Sequence, residues 1–496
     1  MDFNFTEEQQ AAVEAARAVF SGVVPDAVPS PALVPGAVAE DIDRPLWAAL
    51  AAGDLLSLTL SPEHGGAGLD LIALCLVLRE SAKVLARVPV LETCTVAMAI
   101  QRYGDEALAA ELLPAVGRGE LVLTVGANGR SGHDPAELAV TARPDGDARW
   151  AAGDGSGADG DARWAAGDGS GADGDARWAA GDGSGADGDA RWAAGDGSGA
   201  DGDARWAAGD GSGADGDARW AAGDGSGADG DARWAAGDGS GADGDARWAA
   251  GDGSGADGDG GNSSETVWVL DGVQSAVPWA QTANWIAVPA HTGEGRAVLA
   301  LVSRGQDGVT IAEQVSTSGE LFGEVRLDAV RIGRRELIDA AGAWEWLHAL
   351  LTTGTCALAL GLGEAVLAMT SQYTGKREQF GFPVATFQSV AVQTADRYID
   401  LRAMEVTLWQ AAWRIATGGS GALPPAGDVA VAKIWASDGV RRVVQTAQHL
   451  HGGFGADTDY PLHRFHAWAK QIELSLGPAA AHEEALGDLL AAHSLD

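Results

Sequence analysis

The sequence predicts an α+β multidomain protein in which a helical domain, a β-domain and a C-terminal four-helix bundle follow one another along the chain. Three observations carry this reading. The first 120 residues hold capped amphipathic segments, residues 121–338 hold short β-branched runs punctuated by Gly and Asp, and from about Ala340 apolar residues return at helical spacing over long stretches. The length of 496 residues would by simple division suggest three or four domains. A perfect internal repeat removes much of that length.

In the first domain, Thr6-Glu7-Glu8-Gln9 forms a capping box with two acids in the first turn, and predicts a helix to about Phe20. A second helix is predicted from near Asp43 to Gly53. The segment Ser61-Pro62-Glu63-His64-Gly65-Gly66 reads as a loop. A long helical segment follows from Leu69 to about Val88, then a further pair ending near Pro114.

Between Leu121 and Ile338 the runs LVLTV, ELAVTA, TVWVLDG, NWIAVPA, RAVLALVS and GEVRLDAVRI read as strands of a small β-domain. Inside it the unit DGDARWAAGDGSGA begins at Asp145 and recurs unchanged at Asp159, Asp173, Asp187, Asp201, Asp215, Asp229 and Asp243, and the biased stretch runs to residue 261. These eight copies of fourteen residues lengthen one hairpin loop between Arg143 and Thr266. Loop-closure entropy grows only logarithmically with length, so the insertion is compatible with the fold. Without the eight copies 384 residues are left.

Each copy holds three Asp and one Arg, so the array carries −16 of the formal −37 and the remaining chain −21. This balance argues against a nucleic-acid partner and for a soluble protein that repels anionic surfaces. With four Gly and a single Trp as the only large apolar residue, one copy buries too little surface to offset the entropy of ordering it, so the array is expected to be disordered. Its GDGSGADGD stretches superficially resemble Asp/Gly-rich calcium repeats. The fourteen-residue period differs from the nine-residue period of such repeats, and an EF-hand spacing is absent.

Cys75, Cys94 and Cys356 lie far apart in apolar helical contexts, which reads as reduced, buried thiols of a cytoplasmic protein with no metal site. The segment MDFNFTEEQQ shows no export signal. Leu347–Met369 is the most apolar stretch. Thr352, Thr353, Thr355 and Glu364 interrupt it, so it reads as a core helix, not a membrane span. Later, Phe387, Val390, Ala391, Thr394, Tyr398 and Leu401 mark one apolar face, and Val429, Ala432, Ala436, Val440, Val443 and Ala447 another, with GGSGALPPAGD between them.

Two motifs interrupt these last helices. In YTGKREQFGFPVATFQ, from Tyr373 to Gln388, Arg377 offers a planar fork of donors suited to a diphosphate. Gly381 and Pro383 turn the chain out of a helix, and Phe387-Gln388 restart it. In HLHGGFGADTDYPLHR, from His449 to Arg464, Gly452, Gly453 and Gly455 remove three β-carbons and permit close approach to a flat or anionic ligand. Either motif alone also reads as a helix connection with a surface Arg or a C-capping Gly.

Taken together, at this spacing, the two motifs resemble the C-terminal domain of acyl-CoA dehydrogenases. The order MDFNFTEEQQ, SPEHGGAGLD, LLPAVGRGE resembles the N-terminal helical domain of the same family, so the resemblance runs nearly end to end. It implies an FAD-dependent oxidoreductase that desaturates an acyl-CoA thioester and passes electrons to an electron-transfer flavoprotein. It also implies that Arg377, Gln379, Phe380, Gln388, Gly452, Gly453 and Gly455 clasp the adenine and pyrophosphate half of FAD, typically that of a neighbouring subunit.

The chain departs from the family where the chemistry would be. The family base, a Glu before Gly-Thr near the end of the last helices, corresponds to Leu476 before Gly477; a second group of relatives has it at about Leu351, followed here by Thr352. Neither residue accepts a proton, which leaves the catalytic residue unknown. Glu364 and Glu473 are the nearby carboxylates weighed as a displaced base; the plainer reading is that Glu364 could face solvent from its helix and Glu473 could pair with Lys470. In the β-domain, LTVGANGRSGHD stands where relatives line the flavin, and in DGVQSAVPWA the residues Gln274, Ala276 and Pro278 replace a Lys, an aromatic and a hydroxyl residue.

The resemblance therefore implies a subunit that completes the FAD site of a homologous catalytic partner, as in bacterial heteromeric enzymes acting on steroid side-chain thioesters. A stand-alone dehydrogenase with a relocated base is the alternative. A scaffold whose repeat binds calcium or a protein is a third reading.

Overall fold

The computed structural model describes residues 5–25, 31, 34–39, 42–131, 135–145 and 267–493, together with 150–152, 164–166, 179–180, 193–194, 207–208, 221–222 and 235–236 in the array. The chain divides into two compact units, residues 1–142 with 267–496, and residues 143–266.

In the larger unit, helix α1 (Glu7–Phe20) begins at the Thr6–Gln9 capping box, with Thr6 Oγ1 accepting from Gln9 N–H at 3.2 Å and Gln9 Oε1 from Thr6 N–H at 3.1 Å. Asp43 caps α2 (Arg44–Ala52). The helix expected from Leu69 to Val88 is shorter: α3 (Leu71–Ala82), capped by Asp70, stops before Leu85, whose φ of 50° leaves the helical region. Helices α4 (Val90–Tyr103) and α5 (Glu106–Gly117) follow.

Strands β1 (Leu123–Val125) and β2 (Val140–Pro144) open the β-domain. After seven short strands β3 to β9 in the array, it continues with β10 (Trp268–Pro278), β11 (Trp285–Thr292), β12 (Ala297–Ser303), β13 (Val309–Val315), β14 (Leu321–Ile332) and β15 (Leu337–Ile338). The sheet order is β13-β14-β10-β2-β11-β12-β15, with β1 beside β11. Strands β2 and β10 are thus neighbours, and the array is inserted between two adjacent strands. The sheet has a core of its own, built on Val140, Ile286, Val288, Val302, Val325 and Val330.

The C-terminal region contains five helices, not the four expected: α6 (Ala343–Lys376), α7 (Gln388–Thr417), α8 (Pro425–His451), α9 (Leu462–Leu474) and α10 (Ala479–Ala492). The extra element arises because Leu476 and Gly477 take φ of 57° and 92° and split what the sequence reads as one closing segment. Helix α6 is long and apolar enough to cross a membrane by composition, yet 78% of its apolar window is buried in the fold. Nor are the two helical domains separate: Ala16, Leu74, Leu113, Leu350, Leu408 and Val440 belong to one continuous core. The face of α8 read from the sequence is buried throughout, whereas Ala391 and Tyr398 on the corresponding face of α7 are exposed.

In the smaller unit, expected to be disordered, the described residues form a seven-stranded parallel sheet: β3 (Trp150–Ala152), β4 (Trp164–Ala166), β5 (Ala179–Ala180), β6 (Ala193–Ala194), β7 (Ala207–Ala208), β8 (Ala221–Ala222) and β9 (Ala235–Ala236). Each of the first six pairs with the strand fourteen residues on, Trp150 with Trp164 and Ala165 with Ala179. The physical reason is one that a single-copy entropy argument omits: in a repeat array the backbone partners come from the next copy.

Candidate functional site

The C-terminal end of α6 builds the first half of the site. Arg377 leaves the helix with extended backbone while its N–H still bonds Tyr373 O at 2.8 Å. Strands β16 (Glu378–Gln379) and β17 (Phe382–Pro383) form a minimal hairpin whose turn places Phe380 at φ 53° and Gly381 at φ 81°. Val384 N–H closes it on Arg377 O at 2.8 Å. Phe380 is 90% exposed and Phe382 61%. Arg377, Gln379 and Gln388, the first residue of α7, are also exposed, and Arg377 makes no ion pair among the described residues. Large aromatics presented to solvent on a two-residue turn do not stabilise the chain that carries them.

The second half follows α8. Gly452 caps the helix with φ 61° and ψ −140°, a conformation that an L side chain rarely adopts. A β-carbon at Gly452 or Gly453 would meet nothing within 4 Å, so the space above both is open. One at Gly455 would press on the Gln448 amide at 2.9 Å and on His451 Cβ at 3.1 Å. Here the missing side chain serves packing.

A ring stack joins the halves. Tyr373, one turn before Arg377, lies on His451 with centroids 4.3 Å apart and 22° between planes, and on Phe454 at 5.5 Å. Phe454 meets Tyr460 at 4.4 Å. His451 Nδ1 sits 2.8 Å from Ala447 O and Nε2 3.2 Å from the Tyr460 hydroxyl. Only a donor on Nδ1 suits the carbonyl, which leaves Nε2 to accept from Tyr460. Burial lowers the His451 pKa and raises that of Tyr460, so both are neutral partners. The two motifs, with residues 389–448 between them in sequence, are thus joined by one ring stack.

In the β-domain, Gln274 is fully buried, donating to Ala136 O at 2.7 Å and accepting from Gly129 N–H at 3.1 Å. Asn128 Nδ2 donates to Ala276 O at 2.9 Å, and Ser275 N–H to Gly129 O at 2.8 Å. The loop 126–130 is therefore laced onto β10, which is bulged near Gly272 and Ala276. Ala276 and Trp279 take φ of 50° and 58°, backbone conformations that non-glycine residues adopt only under constraint.

The carboxylates weighed as displaced bases have other occupations. Glu364 does not face solvent as expected: half-buried, it is held by Arg79 and by Lys83 at 3.4 Å, in a network where Arg79 also reaches Glu405 at 3.3 Å. Interhelical packing of α3, α6 and α7 accounts for it. Glu473 pairs with Lys470 at 3.0 Å. Leu351 is buried, and Leu476 lies in the turn between α9 and α10.

One carboxylate escaped the sequence reading. Glu92, in the first turn of α4, looks like an ordinary helix-start acid. Burial pushes its carboxyl up to about 7, against the opposing pull of hydrogen bonds from its own backbone and the Trp279 side chain. No sequence signal announces this, because the crowding comes from residues far along the chain.

Two models of one protein family match the two ends of the chain. A family model described as the acyl-CoA dehydrogenase N-terminal domain matches residues 6–120, and one described as the C-terminal domain matches residues 352–490. Among curated proteins, acyl-CoA dehydrogenase FadE27 of Mycobacterium tuberculosis is 37% identical over 226 residues, covering 45% of this chain and 60% of the relative. FadE28 of the same organism is 30% identical over 218 residues, 44% of this chain and 61% of the relative. The chain thus aligns with about three fifths of the length of these relatives. A solved steroid ACAD, a variant of Tcur3481-Tcur3483, superposes with a TM-score of 0.67 at 29% identity over 98% of both chains. The ChsE4-ChsE5 complex from Mycobacterium tuberculosis superposes with a TM-score of 0.68 at 25% identity over 99% of both.

A helical domain, a middle β-domain and a C-terminal helical domain in this order make up the acyl-CoA dehydrogenase fold. The chain belongs to the acyl-CoA dehydrogenase family.

Proposed function

We propose that this chain is an FAD-site-completing subunit of a hetero-oligomeric acyl-CoA dehydrogenase that desaturates an acyl-CoA thioester at its α,β carbons. One contrast carries the reading. The half of the site suited to a dinucleotide tail is open and outward-facing, with Arg377 in no ion pair among the described residues and clear space over Gly452 and Gly453, while the corresponding loop of its own β-domain is laced onto β10 by Gln274 and Asn128.

FAD fits the first half. Arg377 would take a diphosphate oxygen, Gln379 and Gln388 would offer amide groups, and Phe380 a flat apolar face. When bound, FAD accepts the hydride that leaves the β-carbon. The residues of this chain hold the cofactor tail and exclude water from it. They supply no proton acceptor at Leu476 or Leu351.

The exposed face of α7 supports a homologous partner. Val392, Tyr398, Ile399 and Val406 are between 47% and 62% exposed, and Phe380 and Phe382 are exposed as well, apolar side chains that a partner would cover. The partner would be a related chain with an intact base and β-domain, and an electron-transfer flavoprotein would reoxidise the pair. The named complexes among the similar structures support this arrangement.

The test is a visible spectrum of the chain purified alone and together with a homologous partner. Flavin absorbance only in the pair, bleached by acyl-CoA, is the expected outcome. A lone chain that is yellow and bleaches would reject the reading.

A further inference from the structure

The smaller unit repeats one backbone contact. Strands β3 and β4 pair parallel with Trp150 opposite Trp164 and Ala152 opposite Ala166, and the same offset of fourteen residues recurs through Ala221 opposite Ala235 and Ala222 opposite Ala236. Because the copies are identical, every inner strand of the stack pairs with its own sequence on both sides. In parallel, in-register pairing of identical segments, each backbone group finds its partner in the copy before or after it. Nothing in that geometry distinguishes a copy on the same chain from a copy on another.

A second, independent observation comes from the ends of the array. Stacked repeat proteins close their ends with atypical copies whose outer face is polar, and edge strands are ordinarily blunted by charge, proline or a bulge. Here the first copy, from Asp145, and the eighth, from Asp243, are unchanged from the rest, and no charged residue or proline falls in any Trp-Ala-Ala run. Among the described residues β3 and β9 are each bonded on one side only. An end copy thus lacks one of the two neighbour contacts on which the stability of a stacked repeat depends.

We propose that the array is a self-association module: the first-copy end of one chain's stack pairs with the last-copy end of a second copy of this chain, extending the same parallel ladder across the boundary between molecules. Complementarity selects this occupant. The repeat itself is the sequence that satisfies such an edge in all six pairings among the described strands. The two ends of a parallel stack present different edges, so the contact is head-to-tail and grows into an open series of molecules. Charge opposes it. Each array carries −16, so two arrays repel until salt screens them, whereas binding of a basic partner would weaken with salt. The proposal is independent of the cofactor site and of the partner reading.

Sedimentation velocity of the full chain over a range of concentrations tests it. Three variants run beside it: one lacking residues 145–261, one lacking residues 187–242, which keeps four copies, and one with Ala151→Pro and the same change in the other seven copies. Any assembly made by the larger unit alone is read from the array-deleted chain. The full chain is expected to form species beyond that assembly, their weight rising with concentration without a plateau, and to associate at least tenfold more tightly in about 0.5 M than in about 0.05 M NaCl. At the higher salt the four-copy chain should associate within about twofold of the full chain, because only ends join, and the proline chain should behave as the array-deleted one. Equal distributions for the full and array-deleted chains at every concentration and salt, association that weakens with salt, association that falls steeply with copy number, or association that survives the prolines would each overturn it. If the proline chain is insoluble, the other chains still decide, since array-dependent growth, its salt dependence and its indifference to copy number are read without it.

Discussion

Tyr373 and His451 stack face to face at 4.3 Å, and with the adjoining contact of Tyr373 on Phe454 at 5.5 Å this ties the end of α6 to the end of α8 and its glycine turn. The Arg377 hairpin and the Gly452–Gly455 run can serve one ligand only if that stack sets their separation. Tyr373→Ala is expected to cost about 2 kcal/mol in urea unfolding, from lost ring area and aromatic geometry. The same variant should release flavin from the assembled pair, because the half-sites would no longer be in register.

Arg377 and Gly453 separate binding from folding. Arg377 is exposed and makes no ion pair among the described residues, and a β-carbon at Gly453 meets nothing within 4 Å, so Arg377→Ala and Gly453→Ala should leave the unfolding midpoint nearly unchanged. Flavin retention by the pair should nevertheless fall at least tenfold for Arg377→Ala, the size of about 1.5–3 kcal/mol for a charge-assisted bond. Equal retention would remove Arg377 from the site.

Arg79 neutralises two acids at once. Arg79→Met would leave Glu364 and Glu405 facing each other across α6 and α7 in half-buried surroundings, with Lys83 and Arg402 as the remaining cations. A loss of about 3 kcal/mol is expected by denaturant titration, and removal of Glu364 in the same chain should recover part of it.

Glu92 makes stability depend on pH in a definite direction. Its folded pKa of about 7 lies above the ordinary 4.5, so the folded state holds the proton more tightly than the unfolded chain. The contribution is complete below about pH 4.5 and is lost as pH rises through 7, by up to about 3 kcal/mol. Unfolding curves of Glu92→Gln across this window should be flatter than those of the wild type.

The array is inserted between neighbouring strands β2 and β10. Replacing residues 145–261 by a short Gly-rich turn should therefore leave the melting temperature of the larger unit unchanged or slightly raised, since closing the connection costs less entropy. A collapse of the β-domain on deletion would show that the array supports the sheet.

Much of the fold was legible because its determinants are local. The Thr6–Gln9 box, the Asp43 cap and the buried stripe of α8 depend on residues three or four apart, and each stands where the pattern put it. The candidate dinucleotide motifs were legible for the same reason: turns need Gly and Pro at particular positions. Other features were not. Glu364 read as a solvent-facing acid because nothing near it in sequence names Arg79, and the stripe on α7 read as core although Tyr398 is exposed.

By itself the sequence determined the order of helical and β regions, the family resemblance and the two glycine-containing motifs, since periodicity and backbone freedom are properties of neighbouring residues. Tertiary structure alone decided that the two helical regions share one core, that the fourteen-residue copies pair strand to strand, and that Glu92 is raised to about 7. Burial, pairing and desolvation depend on which distant segments arrive beside a residue, and that information is absent from any local window of the chain.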